Sequence, residues 1–118
     1  MVQEQIIIYG FYEDQVDCTR TGLTEILPLS QRFVINYVSL ELNLVENFTV
    51  APRISIGADS EFKNILNAID LTLRQIGDIQ SFYTTISLDG LQNLYINVLD
   101  AAVATGYQIK CLITGYFE

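Results

Sequence analysis

The residues able to do chemistry are few, and their types exclude most of it. The 118-residue chain has no histidine, which removes the usual general base, the common metal ligand and every Ser-His or Cys-His nucleophile pair. Two carboxylates flanking a cleft would suffice for glycoside hydrolysis. The only local acidic clusters are Glu13-Asp14 with Asp17, and Asp59 with Glu61. Both lie beside turn or helix-start positions, where acids act as caps and solvated loop residues. Neither has the dense alternation of oxygen ligands found in a calcium loop. Cys18 and Cys111 are far apart and show no C-x-x-C spacing for zinc or redox work, so two free thiols are expected. Asn47-Phe48-Thr49 fits the glycosylation pattern, but no secretion signal is read at the N-terminus and the match is taken as chance. Glycine-rich phosphate loops are absent. The expectation is a non-enzyme with no catalytic, cofactor-binding or metal-binding residues.

Charge and apolar content bound the partners. Six Lys and Arg against fourteen Asp and Glu give a formal charge of −8, which repels a phosphate backbone, so no nucleic acid is expected. Half the residues are apolar, yet no run approaches the roughly 20 a membrane helix needs. The longest, Leu88 to Leu99, is broken by Asp89, Gly90, Gln92 and Asn97, and no membrane partner is expected. With seven Tyr, six Phe and no Trp, the aromatics must fill the core. Where Tyr9, Tyr12, Tyr37, Tyr95 and Tyr116 face outward, they suggest subunit contacts.

Two-residue alternation dominates. Gln5–Tyr12 reads as a strand apolar on both faces, which implies a second layer or a neighbouring subunit over it. Glu13–Gly22 is polar and reads as loop. Leu23–Leu29 is a short strand stopped by Pro28. Arg32–Asn43 is the clearest strand, with Val34, Val38, Leu40 and Leu42 on one face beside a lone polar Asn36. Val45–Ala51 extends or turns the chain, and Arg53–Ile56 is a strand closed by Gly57. In Asp59–Ile69 the rhythm changes: Phe62, Ile65, Leu66 and Ile69 fall at helical spacing, with Asp59 or Ser60 placed to cap the start, and a short helix or turn is expected. Thr72–Ile76 and Ile79–Ile86 are weaker strands separated by the turn pair Gly77-Asp78, and Asp89-Gly90 is another turn. Leu94–Leu99 and Tyr107–Phe117 close the chain, the latter with Tyr107, Ile109, Cys111, Ile113 and Phe117 on its apolar face.

Turns at such short intervals predict an all-β protein, a jelly-roll-like antiparallel β-sandwich with one or two short helical turns, formed as a single domain over 1–118. Apolar groups on both faces of Ile6-Ile7-Ile8-Tyr9 predict a homo-oligomer, dimer or trimer.

The order of segments resembles a known family. Ile26-Leu27-Pro28, then Arg32-Phe33-Val34-Ile35 and a long alternating strand, then Ile54-Ser55-Ile56-Gly57 and Asn64-Ile65-Leu66, then Tyr107-x-Ile109-x-Cys111-Leu112-Ile113-x-Gly115-Tyr116 are similar to the small jelly-roll structural proteins of tailed bacteriophage virions. The resemblance spans about residues 23–117. It implies a non-enzymatic virion component assembled in the host cytoplasm, in the first place a capsid cement or decoration protein binding capsid or other virion proteins. A tail or fibre module, or a carbohydrate-binding jelly-roll module, is the alternative. Such proteins work through surfaces, so the resemblance carries over no site residues.

Overall fold

Alternating apolar residues become eight antiparallel strands: β1 (Tyr9–Asp17), β2 (Gly22–Pro28), β3 (Phe33–Glu46), β4 (Arg53–Gly57), β5 (Leu66–Asp70), β6 (Ile79–Leu88), β7 (Asn93–Asp100) and β8 (Gly106–Phe117). The computed structural model describes residues 7–29, 31–59, 61–89 and 93–118. Sheet A has the order β1-β8-β3-β6 and sheet B the order β2-β7-β4-β5. The pairs β1·β8, β2·β7, β3·β6 and β4·β5 are nested around the β4–β5 connection, like one long hairpin. The added pairs β3·β8 and β4·β7 roll it into two sheets. This is the jelly roll, as the sequence predicts.

The core lies between the sheets. Sheet A contributes Phe33, Ile35, Val38, Leu40 and Leu42 from β3 and Tyr107, Ile109, Cys111 and Ile113 from β8; sheet B contributes Ile54, Ile56, Leu94, Ile96 and Val98. The predicted face of β8 is the buried one. On β3 the face changes part-way. Ile35 pairs with Gly115 and Tyr37 with Thr114, so Asn36 is an extra residue, a bulge that reverses the alternation. Ile35 therefore points inward and Val34 outward, the reverse of the sequence expectation, while Val38, Leu40 and Leu42 lie in the core as expected. The Asn36 Oδ1 is buried without a hydrogen-bond partner among the described residues.

Several further expectations need correcting. Glu13–Gly22 is not all loop, because β1 runs on to Asp17 across a bulge between Glu13 and Val16. β1 is an edge strand, and an edge tolerates polar residues that a central strand would not. Of the predicted Gln5–Tyr12 strand, Gln5 and Ile6 lie outside the described residues, and Ile7 and Ile8 precede the strand and are exposed. Of the short helix or turn expected in Asp59–Ile69, the structure has the turn. The spacing arises because Ile65 and Leu66 bury themselves at the start of β5, while residues before them form one turn, Phe62 N–H donating to the Asp59 carbonyl (3.2 Å). Ser60 lies outside the described residues. A second such turn, Asp78 N–H to the Gln75 carbonyl (3.0 Å), precedes β6. Thr72–Ile76 is likewise no strand but the crossover from sheet B to sheet A, with Leu71 and Leu73 buried.

One buried polar group fixes that crossover. Tyr107, fully buried at the start of β8, donates its hydroxyl to the Leu73 carbonyl at 2.6 Å and packs its ring on Phe48 with centroids 5.5 Å apart. Burial raises the phenol's pKa well above its ordinary value. At the opposite end of β8, Gly115 leaves room for Phe33: a Cβ there would lie 2.0 Å from the Val34 carbonyl oxygen and 2.8 Å from Phe33 Cζ. Tyr9, Phe11, Phe33 and Phe117 gather at this end, with Phe33 and Phe117 centroids 4.9 Å apart.

Tyr107→Phe leaves the Leu73 carbonyl buried and unpaired and is expected to cost about 1–3 kcal/mol in a urea melt. Gly115→Ala, which drives a methyl into backbone, is expected to cost more, and unchanged melting of either variant would refute its assigned role.

Candidate interaction surface

The acidic clusters are occupied with holding turns. Asp17 Oδ1 accepts hydrogen bonds from the Thr19 hydroxyl (2.6 Å) and N–H (2.9 Å). Asp59 Oδ1 accepts the N–H groups of Lys63 (2.7 Å) and Asn64 (3.3 Å), and Glu61 pairs with Lys63. Asp78, read from the sequence as part of the turn pair Gly77-Asp78, accepts the N–H groups of Arg74 (2.9 Å) and Gln75 (3.1 Å). The Asp14 side chain lies outside the described residues. Among the described residues no group of three acids or thiols is placed to hold a metal ion.

The other candidates also have structural partners. Asn47 Nδ2 donates to Thr105 Oγ1 (2.9 Å) and Thr49 Oγ1 to the Val103 carbonyl (3.1 Å), so the Asn47-Phe48-Thr49 triplet fastens the β3–β4 connection to the β7–β8 loop. Cys18 and Cys111 are both free and buried, and burial pushes each thiol up to about 12. Beside the triplet, Phe48, Val50, Leu71, Thr72 and Arg74 line an open cavity of about 330 Å³.

The two outer sheet faces differ. On sheet B, residues 58–59 and 61–65 lie over the end of β4. Asn64 Oδ1 accepts the Ala58 N–H (2.8 Å), Phe62 meets Tyr95 edge-on at 5.2 Å, and Gly57 lies so close beneath that a Cβ would fall 2.4 Å from the Lys63 nitrogen. Among the described residues sheet A has no such cover. By the strand register its outer face carries Tyr12 and Asp17 from β1, Gln108, Lys110, Leu112, Thr114 and Tyr116 from β8, Tyr37, Ser39, Glu41 and Leu44 from β3 together with a buried Val34, and Ile79, Ser81, Tyr83, Thr85 and Ser87 from β6.

Around Tyr12, Tyr37 and Tyr83 this face is aromatic and hydroxylic, and its charges there, Lys110 and Glu41, offset one another. Lys110 Nζ sits 4.5 Å above the Tyr12 ring and stands opposite Glu41 in the register. Tyr37 and Tyr83 lie side by side, centroids 5.1 Å apart, and the Tyr37 hydroxyl is 2.9 Å from Ser81 Oγ, a contact that lowers the Tyr37 pKa. Tyr12 is 60% exposed and Tyr83 86%. Of the tyrosines the sequence flagged, Tyr12, Tyr37 and Tyr116 come together here, while Tyr9 joins the end cluster and Tyr95 lies on sheet B. Tyr83 was not flagged. Its signal was the run Ile79–Leu88, ten residues without a charge.

Chains of two solved particles share this fold. One belongs to the capsid asymmetric unit of cyanophage Pam1, with a TM-score of 0.68 and 16% identity over 94% of this chain and 85% of the other. The second belongs to the acid-stable capsid structure of Helicobacter pylori bacteriophage KHP30, with a TM-score of 0.65 and 15% identity over 98% of this chain and 90% of the other. No protein-family model and no curated protein sequence matches the chain. The resemblance to phage virion proteins is thus borne out at the level of fold.

The turn-holding acids set a pH dependence. Hydrogen bonds from the Thr19 hydroxyl and N–H hold the Asp17 carboxyl below its usual range, and the N–H groups of Arg74 and Gln75 do the same for Asp78. A folded-state pKa below the unfolded one gives stability that is complete above about pH 4 and is lost as pH falls through the folded value. Melting temperature is therefore expected to fall below about pH 4. Asp78→Ala should lower it at neutral pH and flatten that acid limb. An unchanged acid limb in both Asp78→Ala and Asp17→Ala would show that these turns are not the acid-sensitive element.

Proposed function

We propose that this chain is a non-enzymatic structural component of a bacteriophage virion. It acts as a cement or decoration protein, a single β-sandwich domain that self-associates and clamps neighbouring subunits of the capsid shell. The observation that carries this reading is the fold shared with phage capsid chains over nearly the whole length of this one. The exposed tyrosine face of sheet A supports it, since large, rigid aromatic side chains bordered by hydroxyls suit protein contact. The acids support it from another side, because those near turns are engaged in backbone hydrogen bonds.

The shell contact is assigned to the β1–β8 side of the face, centred on Tyr12, Leu112 and Tyr116. Aromatic anchors near the centre of an interface carry much of its energy, whereas charges at the rim contribute salt-sensitive steering. An acidic chain fits a basic or mixed protein surface, not nucleic acid, and its location is the virion assembled in the host cytoplasm.

The test adds purified protein to particles lacking it and measures both occupancy and the temperature at which shells rupture. Saturable binding with a raised rupture temperature is expected. Tyr12→Ala should weaken binding by about 1–2 kcal/mol, roughly 5- to 30-fold, with melting of the free protein little changed. Binding to tails alone would assign the chain to the tail or fibre. Stabilisation by a glycan, with no binding to particles, would overturn the virion reading in favour of a carbohydrate-binding module.

A further inference from the structure

The four sheet edges are not alike. An open edge is a template for another strand, and proteins blunt it with charge, proline, bulges or shortness. β1 carries Glu13, Asp14 and Asp17 and a bulge. β2 carries Glu25, a bulge and Pro28. β5 is five residues long, with Ala68 at a positive φ of 52° and a terminal Asp70. β6 is not short and bears no charge or proline, and its one irregularity is a single extra residue against β3, between Tyr83 and Ile86. Its ten residues, Ile79 to Leu88, include no charge, proline or glycine, and inside–outside burial still alternates unbroken along it. Among the described residues no strand lies on its free side.

We propose that two copies of this chain pair edge to edge through β6, antiparallel about a two-fold axis at Tyr83, so that sheet A runs on from one copy into the next. The occupant follows from charge. Two copies each carrying −8 repel one another at most contacts, and β6 is a ten-residue band where they meet without opposing carboxylates. The side chains are self-complementary in this register: Tyr83 meets its own counterpart, Ser81 meets Thr85, and Ile79 meets Ser87. Tyr37 and Tyr83, already adjacent across β3 and β6, then form the first half of a row of four tyrosines. That pairing covers Tyr83, the most exposed of the large apolar and aromatic side chains described. A two-fold contact is also closed, so it consumes the edge instead of propagating a fibre.

Self-association is part of the function proposed above, and this pairing specifies its surface. It is measured on free protein whereas shell occupancy is measured on particles, so either can fail alone. Sedimentation of the full chain at micromolar concentration should give twice the 13.3 kDa of one chain. Thr85→Lys, an outward-facing change, should give the single-chain mass with an unchanged melting temperature. Directly opposed residues in an antiparallel pair have Cα atoms about 4.5–5.5 Å apart, inside the disulfide range of about 4.4–6.8 Å. Tyr83→Cys should therefore cross-link to itself under oxidised glutathione. Ser81→Cys and Thr85→Cys should cross-link when mixed but not singly. Cys18 and Cys111 stay out of this reaction because both are buried.

A single-chain mass for the unaltered protein, or a trimer, overturns the pairing, as does cross-linking of Ser81→Cys with itself in preference to Tyr83→Cys. Loss of shell occupancy in Thr85→Lys while the unaltered protein sediments as one chain would assign the edge to the shell protein and overturn it too.

Discussion

The structure depends on β3 lying beside β8. From Phe33 opposite Phe117 to Glu46 opposite Gly106, these two longest strands form the middle of sheet A. Without that pairing the nested pairs would be a long folded hairpin with an unburied apolar face. With it, β1 and β6 acquire a common sheet, and β4 meets β7 on the other side. The pairing joins residues from the first half of the chain to the last thirteen, so the core cannot close until the C-terminal strand arrives. Loop-closure entropy grows only slowly with length, which is why such distant partners are affordable once a two-sided core rewards them.

Tyr107 shows how the roll is held at the point where it is weakest. Crossovers between sheets leave backbone groups without strand partners, and a buried carbonyl without a donor is costly. The Leu73 carbonyl lies in such a crossover, and the Tyr107 hydroxyl reaches it from the strand that completes the fold. Asp78 and Asp17 perform the same service near the surface, with carboxylates accepting N–H groups that no strand satisfies. Polar chemistry in this chain is concentrated where the hydrogen-bond ladders stop.

This distribution explains what was legible in the sequence. β3, β4, β7 and β8 were readable because one face of each is buried against the opposite sheet, and burial on one face writes a period of two. β1 beyond Glu13 was not, since an edge strand can be polar without losing its single ladder. The Asn36 bulge left one trace, a lone polar residue on a predicted core face, and that trace was the point at which the alternation reversed. In 59–69, two short apolar groups separated by a turn imitated helical spacing, because Phe62 packs on Tyr95 and Ile65 and Leu66 enter the core from a different direction. The acids near turns were read as caps and solvated loop residues, and Asp17 and Asp59 do accept backbone N–H groups. Tyr83 was missed because an exposed aromatic on an edge leaves no periodic mark; what marks it is the missing charge around it.

That missing charge is informative only against the rest of the chain. A net charge of −8 keeps an apolar sandwich from associating at random, and the basic residues partly offset it locally: Arg32 reaches Asp89 and Glu118, and Arg53 reaches Asp70 and Asp100. Exposed pairs of this kind add little stability, so their consequence is mainly to leave few unmatched cations on the surface. The outer face of sheet A departs from this pattern. Around its tyrosines it opposes Lys110 to Glu41 and otherwise presents mainly phenols, hydroxyls and aliphatic side chains, with Asp17 at one end. Such a face neither repels a like-charged copy nor attracts a polyanion, and its rings lose little side-chain freedom on contact. A sandwich that buries its apolar residues between two sheets has only its outer faces and edges with which to act, and here, among the described residues, the face without a covering loop and the edge without a charge belong to the same sheet.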